Sequence, residues 1–309
     1  MKIFTSIADF PIIIVPVVTT GTFDGVHLGH LKIINRLKEI ATKEKGETVL
    51  LTFFPHPRMV LFPDDNDLKL LLTQDEKIQL LEKAGIDNLI VLPFTKEFSR
   101  LSSIDFVRSI LVDGIHTKKL VIGYNHHFGR NREGSFEHLK EFGPLYGFDV
   151  EEIPAKDVEN SEVSSTKIRK ALQKGDIRKA NEYLGFPYFI TGKVVQGKQL
   201  GRTLGYPTAN LEISDKHKLI PADGIYAVEI LHAKKMYKGM MSIGKNPTVG
   251  GTSRTIEVNI FNFDSSIYGE ELVIYFKEFL RDEKKFSDLD SLIKQIGLDK
   301  EHSLKILNS

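Results

Sequence analysis

Eleven residues from Thr20 to His30 read T-G-T-F-D-G-V-H-L-G-H and hold two imidazoles, one carboxylate and three glycines. His27 and His30 are three apart, so on a helix they share one face. The run Val17-Val18-Thr19-Thr20 before them is β-branched and stops at Gly21. After them Leu31, Ile34, Leu37 and Ala41 fall at helical spacing. The pattern predicts a strand, a tight turn and a helix start. A helix N-terminus presents unpaired N–H groups and the positive end of its dipole, and both attract phosphate. Gly21, Gly25 and Gly29 would let backbone approach a ligand closely. The string is neither G-x-x-x-x-G-K-[ST] nor G-x-G-x-x-G. A phosphate site with two histidines and no P-loop lysine points to nucleotidyl transfer. There, donors stabilise charge on an α-phosphate as pyrophosphate leaves.

Other segments carry dense polar chemistry. Pro55-His56-Pro57-Arg58 holds an imidazole between two prolines. Asn125 suits a base or a ribose, and the adjacent His126-His127 pair, lacking an acidic partner, is a weak metal signal. Ser164-Ser165-Thr166 stands about one helical turn before Arg169, so hydroxyls, free N–H groups and a guanidinium can share an anion. Farther on, Gly197, Lys198, Gly201, Arg202, Gly205 and Pro207 compose a loop suited to folding over phosphates. Thr208 and Asn210 offer hard neutral oxygens, which suit a Mg²⁺ already chelated by a nucleotide. In Thr255-Ile256-Glu257-Val258-Asn259-Ile260, strand alternation sets Ile256, Val258 and Ile260 against Glu257 and Asn259. Glu257 then suits a general base for a hydroxyl nucleophile. Taken alone, each segment also reads as a cap, a turn or a solvated strand residue.

Their positions on the elements decide between these readings. Strands are predicted over 12–18, 48–54, 88–92, 120–123 and 148–153, with helices between them. Thr73-Gln74-Asp75-Glu76 has capping-box form, Gly46 is a helix stop, and a helix over 137–146 should break near Gly143-Pro144. Alternating strands and helices imply a parallel, doubly wound sheet, whose ligands bind beyond the carboxyl ends of the strands. Four of the polar segments fall at that edge. Near Gly185 the pattern changes to short alternating strands over 188–195, 224–231, 236–243, 255–263 and 271–276, as in an antiparallel barrel. Ser287 is placed to cap a last helix, with Leu289, Leu292, Ile293 and Ile296 on one face.

Composition narrows the function further. The 309 residues suggest two domains, and 41% hydrophobic content supplies a core for each. A net charge of +1 predicts neither nucleic acid nor anionic membrane as a partner. The chain has no cysteine, which excludes thiol catalysis and cysteine-ligated zinc. The apolar stretch 12–18 is interrupted by Pro16, and no run is long enough to span a bilayer, so a soluble cytoplasmic protein is expected.

These strings together resemble the bacterial bifunctional riboflavin kinase/FMN adenylyltransferase (FAD synthetase) family. The matching motifs cover the whole chain: T-G-T-F-D-G-V-H-L-G-H, F-F-P-H-P, Y-N-H-H-F-G-R-N-R-E-G, S-S-T-K-I-R-K-A-L, G-K-Q-L-G-R-T-L-G-Y-P-T-A-N-L, G-I-Y-A-V, S-I-G-K-N-P-T, E-V-N-I-F-N-F and F-L-R-D-E-K-K-F. The resemblance implies a Rossmann-like adenylyltransferase domain over 1–185 and a riboflavin kinase barrel with a C-terminal helix over 186–309. It implies that ATP phosphorylates riboflavin to FMN and a second ATP adenylylates FMN to FAD. No obligate protein partner is expected. By this resemblance His27 and His30 stabilise the ATP phosphates, while Gly21, Phe23, Asp24 and Gly25 shape the pocket. Asn125 lies along the nucleotide, and Ser164, Thr166 and Arg169 hold phosphate. In the kinase half Gly197, Lys198, Gly201 and Pro207 enclose phosphates, and Thr208 and Asn210 bind Mg²⁺-ATP. Glu257 deprotonates the riboflavin 5′-hydroxyl, and Arg281 lies on the flavin side. The chain departs from the family pattern at Asn259, where histidine is common, and at His126-His127.

Overall fold

The β-branched run that ends at Gly21 becomes the middle of a sheet. The structure, a computed structural model, describes residues 1–64, 68–124, 126–154, 163–197, 201, 204–245 and 254–309. The chain divides into two compact units, Met1–Ser165 and Thr166–Ser309. The first holds β1 (Lys2–Phe4), β2 (Pro16–Thr20), β3 (Glu47–Phe54), β4 (Asn88–Pro93), β5 (Lys119–Gly123) and β6 (Asp149–Ile153). All pair in parallel, in the order β1-β4-β3-β2-β5-β6. From β2 the chain winds one way through β3 and β4, then returns to add β5 and β6 on the other side. The winding therefore reverses at β2, and the crevice beyond its carboxyl end is where such sheets take ligands.

The helices of this unit are α1 (Leu28–Glu44), α2 (Pro57–Leu61), α3 (Gln74–Lys83), α4 (Ser103–Phe106, widening into a π-helical turn over Val107–Val112) and α5 (Phe136–Tyr146). α1 buries Ile34, Leu37, Ile40 and Ala41, which is the face its spacing predicts. Thr73 and Glu76 form the capping box of α3, each side chain bonding the other's backbone N–H. Three expectations are corrected. The first long strand starts at Pro16 rather than Ile12, and Ile12 and Ile14 are exposed. Proline lacks the N–H that a strand interior must donate, so it opens the strand instead. α1 stops at Lys45, which takes the left-handed conformation (φ 54°); Gly46 serves close packing, since a Cβ there would lie 2.1 Å from the Val15 carbonyl oxygen. α5 runs through Pro144 unbroken, forgoing the one i→i−4 bond that this residue would have donated to Lys140.

The second unit opens with α6 (Ser165–Gln173) and α7 (Ile177–Leu184) and continues as β7 (Phe189–Val195), β8 (Ala209–Glu212), β9 (Gly224–His232), β10 (Lys235–Lys245), β11 (Arg254–Ile260), β12 (Glu271–Arg281) and α8 (Leu289–Asn308). The strands close an antiparallel barrel in the order β10-β11-β8-β7-β12-β9. Tyr226, Met241, Val258, Ile274 and Phe276 are fully buried in it. Asn181 fastens α7 to the barrel, donating to the Phe276 carbonyl at 2.9 Å and accepting the Tyr188 N–H at 2.7 Å. α8 packs Ile296, Leu304 and Leu307 against Ala227, Met240 and Phe261. Its N-cap is Asp288 rather than Ser287: the carboxylate accepts the Ser291 N–H at 2.7 Å, and Ser287 donates to that carboxylate. Bonds from the Ser291 hydroxyl and N–H, then from Ser287, hold the Asp288 carboxyl down to about 2.

A buried ion pair secures α8. Arg281 on β12 meets the Asp299 carboxylate through Nε and Nη2 at 2.9 and 2.7 Å, with side chains 15% and 7% exposed. Gln295 also donates to Asp299. Asp299→Ala strands the guanidinium, and breaking a pair of this kind costs about 3 kcal/mol or more. Urea unfolding of the full chain is expected to show that loss. A change within about 0.5 kcal/mol, the range of ordinary surface substitutions, would show that the pair does not hold the helix.

Candidate functional site

The loop after β2 is strained, and its neighbours hold it in place. Phe23 and Val26 take positive φ values of 49° and 41°, and Gly25 one of 96°. Positive φ is costly for a β-branched residue and persists only where the surroundings over-determine it. Here the buried Asp24 carboxylate accepts the Leu71 N–H at 3.0 Å and the Leu72 N–H at 3.3 Å. Thr52 Oγ1 donates to the Thr22 carbonyl at 3.2 Å, and Ser165 Oγ donates to the Asp24 carbonyl at 2.9 Å. Gly21 lies against the Phe23 ring, which a Cβ on Gly21 would meet at 3.2 Å.

The two histidines close this loop. His27 is the N-cap of α1, with Nδ1 accepting the His30 N–H at 3.4 Å. The two rings stack with centroids 3.7 Å apart and planes 14° apart, and Phe23 covers the His30 ring at 4.8 Å. Burial first, then His27 and Lys77, push the His30 imidazole well below its ordinary range. It is therefore neutral at pH 7. Its Nδ1 is buried with no hydrogen-bond partner among the described residues. A neutral imidazole still carries one N–H, which can donate to a phosphate oxygen.

Lys77 on α3 completes the surroundings and escaped the sequence reading. It is buried, with Nζ 3.4 Å from the Thr22 carbonyl and 3.3 Å from Thr52 Oγ1. Burial lowers it to about 8, opposed by Asp24. Its signal was the spacing to Leu81, four residues on, which puts it on the buried face of α3. His56 caps the short α2, accepting the Arg58 N–H at 3.2 Å. His126 packs on Phe128 and is lowered to about 4 by burial, then by His127 and Arg132. Ser164 precedes α6, while Thr166 and Arg169 lie on it in the second unit. Asn125 lies outside the described residues.

On the barrel, β8 is a strand that the sequence reading treats as loop, and its pairing builds the second constellation. Asn210 pairs directly opposite Glu257 across β8 and β11. Thr208 Oγ1 donates to Glu257 Oε2 at 3.0 Å, and Asn259 donates to the Pro207 carbonyl at 2.6 Å. Glu257 and Asn259 thus share a face, while Val258 and Ile260 are buried. Gly197 and Gly201 make close approaches here. A Cβ on Gly197 would lie 2.0 Å from Asn210 Nδ2, and one on Gly201 would lie 2.3 Å from the Tyr206 carbonyl oxygen. A cleft of about 430 Å³ opens beside Thr208, walled by Pro207, Val258, Ile260, Phe263 and Tyr268. Arg281 is engaged with Asp299, as described above. Lys198 and Arg202 lie outside the described residues.

Among the described residues no three or more His, Cys, Asp or Glu side chains are grouped to hold a metal ion. A hydroxyl, an amide and one carboxylate instead suit a divalent cation that arrives carrying phosphates. Also among the described residues, no helix is long and apolar enough to cross a membrane.

Two polar clusters, one on a parallel sheet and one on a closed barrel, fit a two-module transferase. Residues 14–167 match the family model for FAD synthetase and residues 184–307 that for riboflavin kinase. Relatives extend over nearly the full length. The bifunctional riboflavin kinase/FMN adenylyltransferase of Listeria monocytogenes is 37% identical over 92% of this chain and 90% of its own. That of Haemophilus influenzae is 36% identical over 94% of each. A crystal structure described as a macrolide-efflux protein from Streptococcus pneumoniae superposes with a TM-score of 0.88, at 33% identity and 97% coverage of both chains. The chain belongs to the bifunctional riboflavin kinase/FMN adenylyltransferase family.

Proposed function

We propose that the chain makes FMN and then FAD, with residues 1–185 carrying adenylyl transfer and residues 186–309 the kinase step. The observation that carries this reading is the joint presence of the stacked His27/His30 pair and the Thr208–Glu257 bond in one chain. In the kinase step Glu257 takes the proton of the riboflavin 5′-hydroxyl. The oxygen attacks the γ-phosphorus of ATP, forming one P–O bond as the bond to ADP breaks. Thr208 and Asn210 would hold the Mg²⁺ that accompanies ATP, while Gly197, Lys198, Gly201 and Pro207 enclose its phosphates. The bound Mg²⁺ neutralises charge on those phosphates.

In the second step a phosphate oxygen of FMN attacks the α-phosphorus of another ATP, and pyrophosphate leaves. His27 and His30 donate to the phosphates, and Gly21, Phe23, Asp24 and Gly25 shape the pocket. Asn125 lies along the nucleotide, with Ser164, Thr166 and Arg169 on phosphate. Arg281, tied to Asp299, orders the flavin-side segment of the barrel. Riboflavin, FMN and ATP are the partners, and a cytoplasmic location fits the cysteine-free composition.

One assay tests the whole reading: riboflavin, ATP and Mg²⁺ incubated with the full chain, with FMN and FAD resolved by chromatography. Both should form in sequence. A second assay tests the division of labour. A fragment of residues 166–309 keeps the contacts of α6 and α7 with the barrel, among them the Ala222 N–H to Leu172 carbonyl bond at 3.0 Å. It should convert riboflavin to FMN and make no FAD; detecting FAD would overturn the assignment.

A further inference from the structure

We propose that Lys77 is a positioning residue of the adenylyl-transfer site, its ammonium holding the Thr22 carbonyl and supplying positive charge beneath the nucleotide phosphates. The inference rests on the reading of this site given above. Three observations carry it. First, the amine is buried against the loop that bears Gly21 to His30, 3.4 Å from the Thr22 carbonyl and 3.3 Å from Thr52 Oγ1. Second, the Thr22 carbonyl does not depend on it for a donor. Thr52 Oγ1 already donates to the Thr22 carbonyl, so an uncharged stem of the same length would leave that acceptor satisfied. Burying an ammonium is costly, and an apolar side chain would pack the space without that cost. Third, the loop from Gly21 to His30 carries no lysine or arginine of its own. His30 is neutral, and the Asp24 carboxylate is turned onto the Leu71 and Leu72 N–H groups. A triphosphate needs positive potential, and a fixed charge in a low-dielectric setting supplies it without reorganisation.

The groups that face Lys77 are Asp24 from the loop, Thr52 from β3 and His30 from α1. On its own helix Glu76 is committed to the Thr73 N–H. Lys77 is lowered to about 8 by burial, so its charge is present at neutral pH and lost as pH rises through that value. The unfolded chain keeps this proton to higher pH. Charge burial therefore weighs against the fold below about pH 8, and the penalty fades above it.

The test uses the full chain, wild type and Lys77→Met, with supplied FMN and ATP between about pH 6.5 and 9.5, spanning that titration. Riboflavin phosphorylation and the thermal midpoint are read on the same samples. Wild-type FAD formation is expected to fall above about pH 8 while FMN formation does not. Lys77→Met is expected to form FAD at least about tenfold more slowly at pH 7, without the alkaline fall and with no lower thermal midpoint. A purely structural lysine would instead move rate and midpoint together. A wild-type profile with no alkaline fall, a variant within about twofold of wild type, or a slow variant with a lowered midpoint each overturns the inference. A wild-type chain that makes no FAD at any pH would unseat the reading of the site itself.

Discussion

Glu257→Gln is expected to slow riboflavin phosphorylation by about 10²–10⁴-fold, the usual contribution of a positioned general base. A primary alcohol is a poor nucleophile at neutral pH, so the step gains from a group that takes its proton. Glu257 is half-buried on β11, opposite Asn210 and bonded to the Thr208 hydroxyl at 3.0 Å. Glutamine keeps the size and an oxygen to accept that hydroxyl, but it cannot take the proton. Binding of Mg²⁺-ATP should change little, and supplied FMN should still become FAD at the wild-type rate. Asp264, in the wall of the neighbouring cleft, is the nearest rival in sequence, but it lies after β11 in the loop that leads to β12. Near-wild-type phosphorylation by Glu257→Gln would show that the proton leaves by another route. Loss of both activities would indicate a folding defect.

His30→Ala is expected to slow FAD formation by about 10²–10³-fold, as removal of one transition-state donor does, while FMN accumulates. The ring lies between the stacked His27 and the tilted Phe23, so alanine also opens space there. His30→Gln keeps a donor in that space and should recover part of the rate. Because burial holds the His30 imidazole well below its ordinary range, it stays neutral as pH falls through the usual histidine range. Wild-type FAD formation should therefore not be lost between about pH 7 and 6 through this group. An unchanged rate of FMN adenylylation in His30→Ala would remove the residue from the chemistry. No covalent enzyme–nucleotide species is expected, since the FMN phosphate is itself the nucleophile.

What was legible in the sequence was local. Periodicity located the five longer strands of the sheet, the buried face of α1 and the change of pattern near Gly185. Alternation put Glu257 and Asn259 on one face before any pairing was known. The three-residue β1 and the four-residue β8 are too short to show a period, and β8 sits within a string that reads as a binding loop. Asp288 outcompeted Ser287 as the cap of α8 because its carboxylate reaches two Ser291 donors at once. Ties between residues far apart in the chain left no signal. Asp24 meets Leu71 47 residues away, and Thr52 meets Thr22 30 residues away. Arg281 could be assigned to the flavin side only by resemblance, since its partner Asp299 lies on another element. Lys77 was readable in principle from its spacing to Leu81, but a lysine on an apolar face draws no motif.

The two sheets also differ in how they end. The barrel closes on itself, so among the described residues none of its strands is an edge strand. The parallel sheet has two edge strands, β1 and β6. The first is only three residues long and carries Lys2. The second presents Asp149, Glu151 and Glu152, with Asp149 paired to Lys119 and Glu151 to Arg36. Shortness on one side and charge on the other are what keep an open sheet from polymerising edge to edge. The acidic residues of β6 thus guard an open edge against pairing with a second copy, a task that closure performs for the barrel.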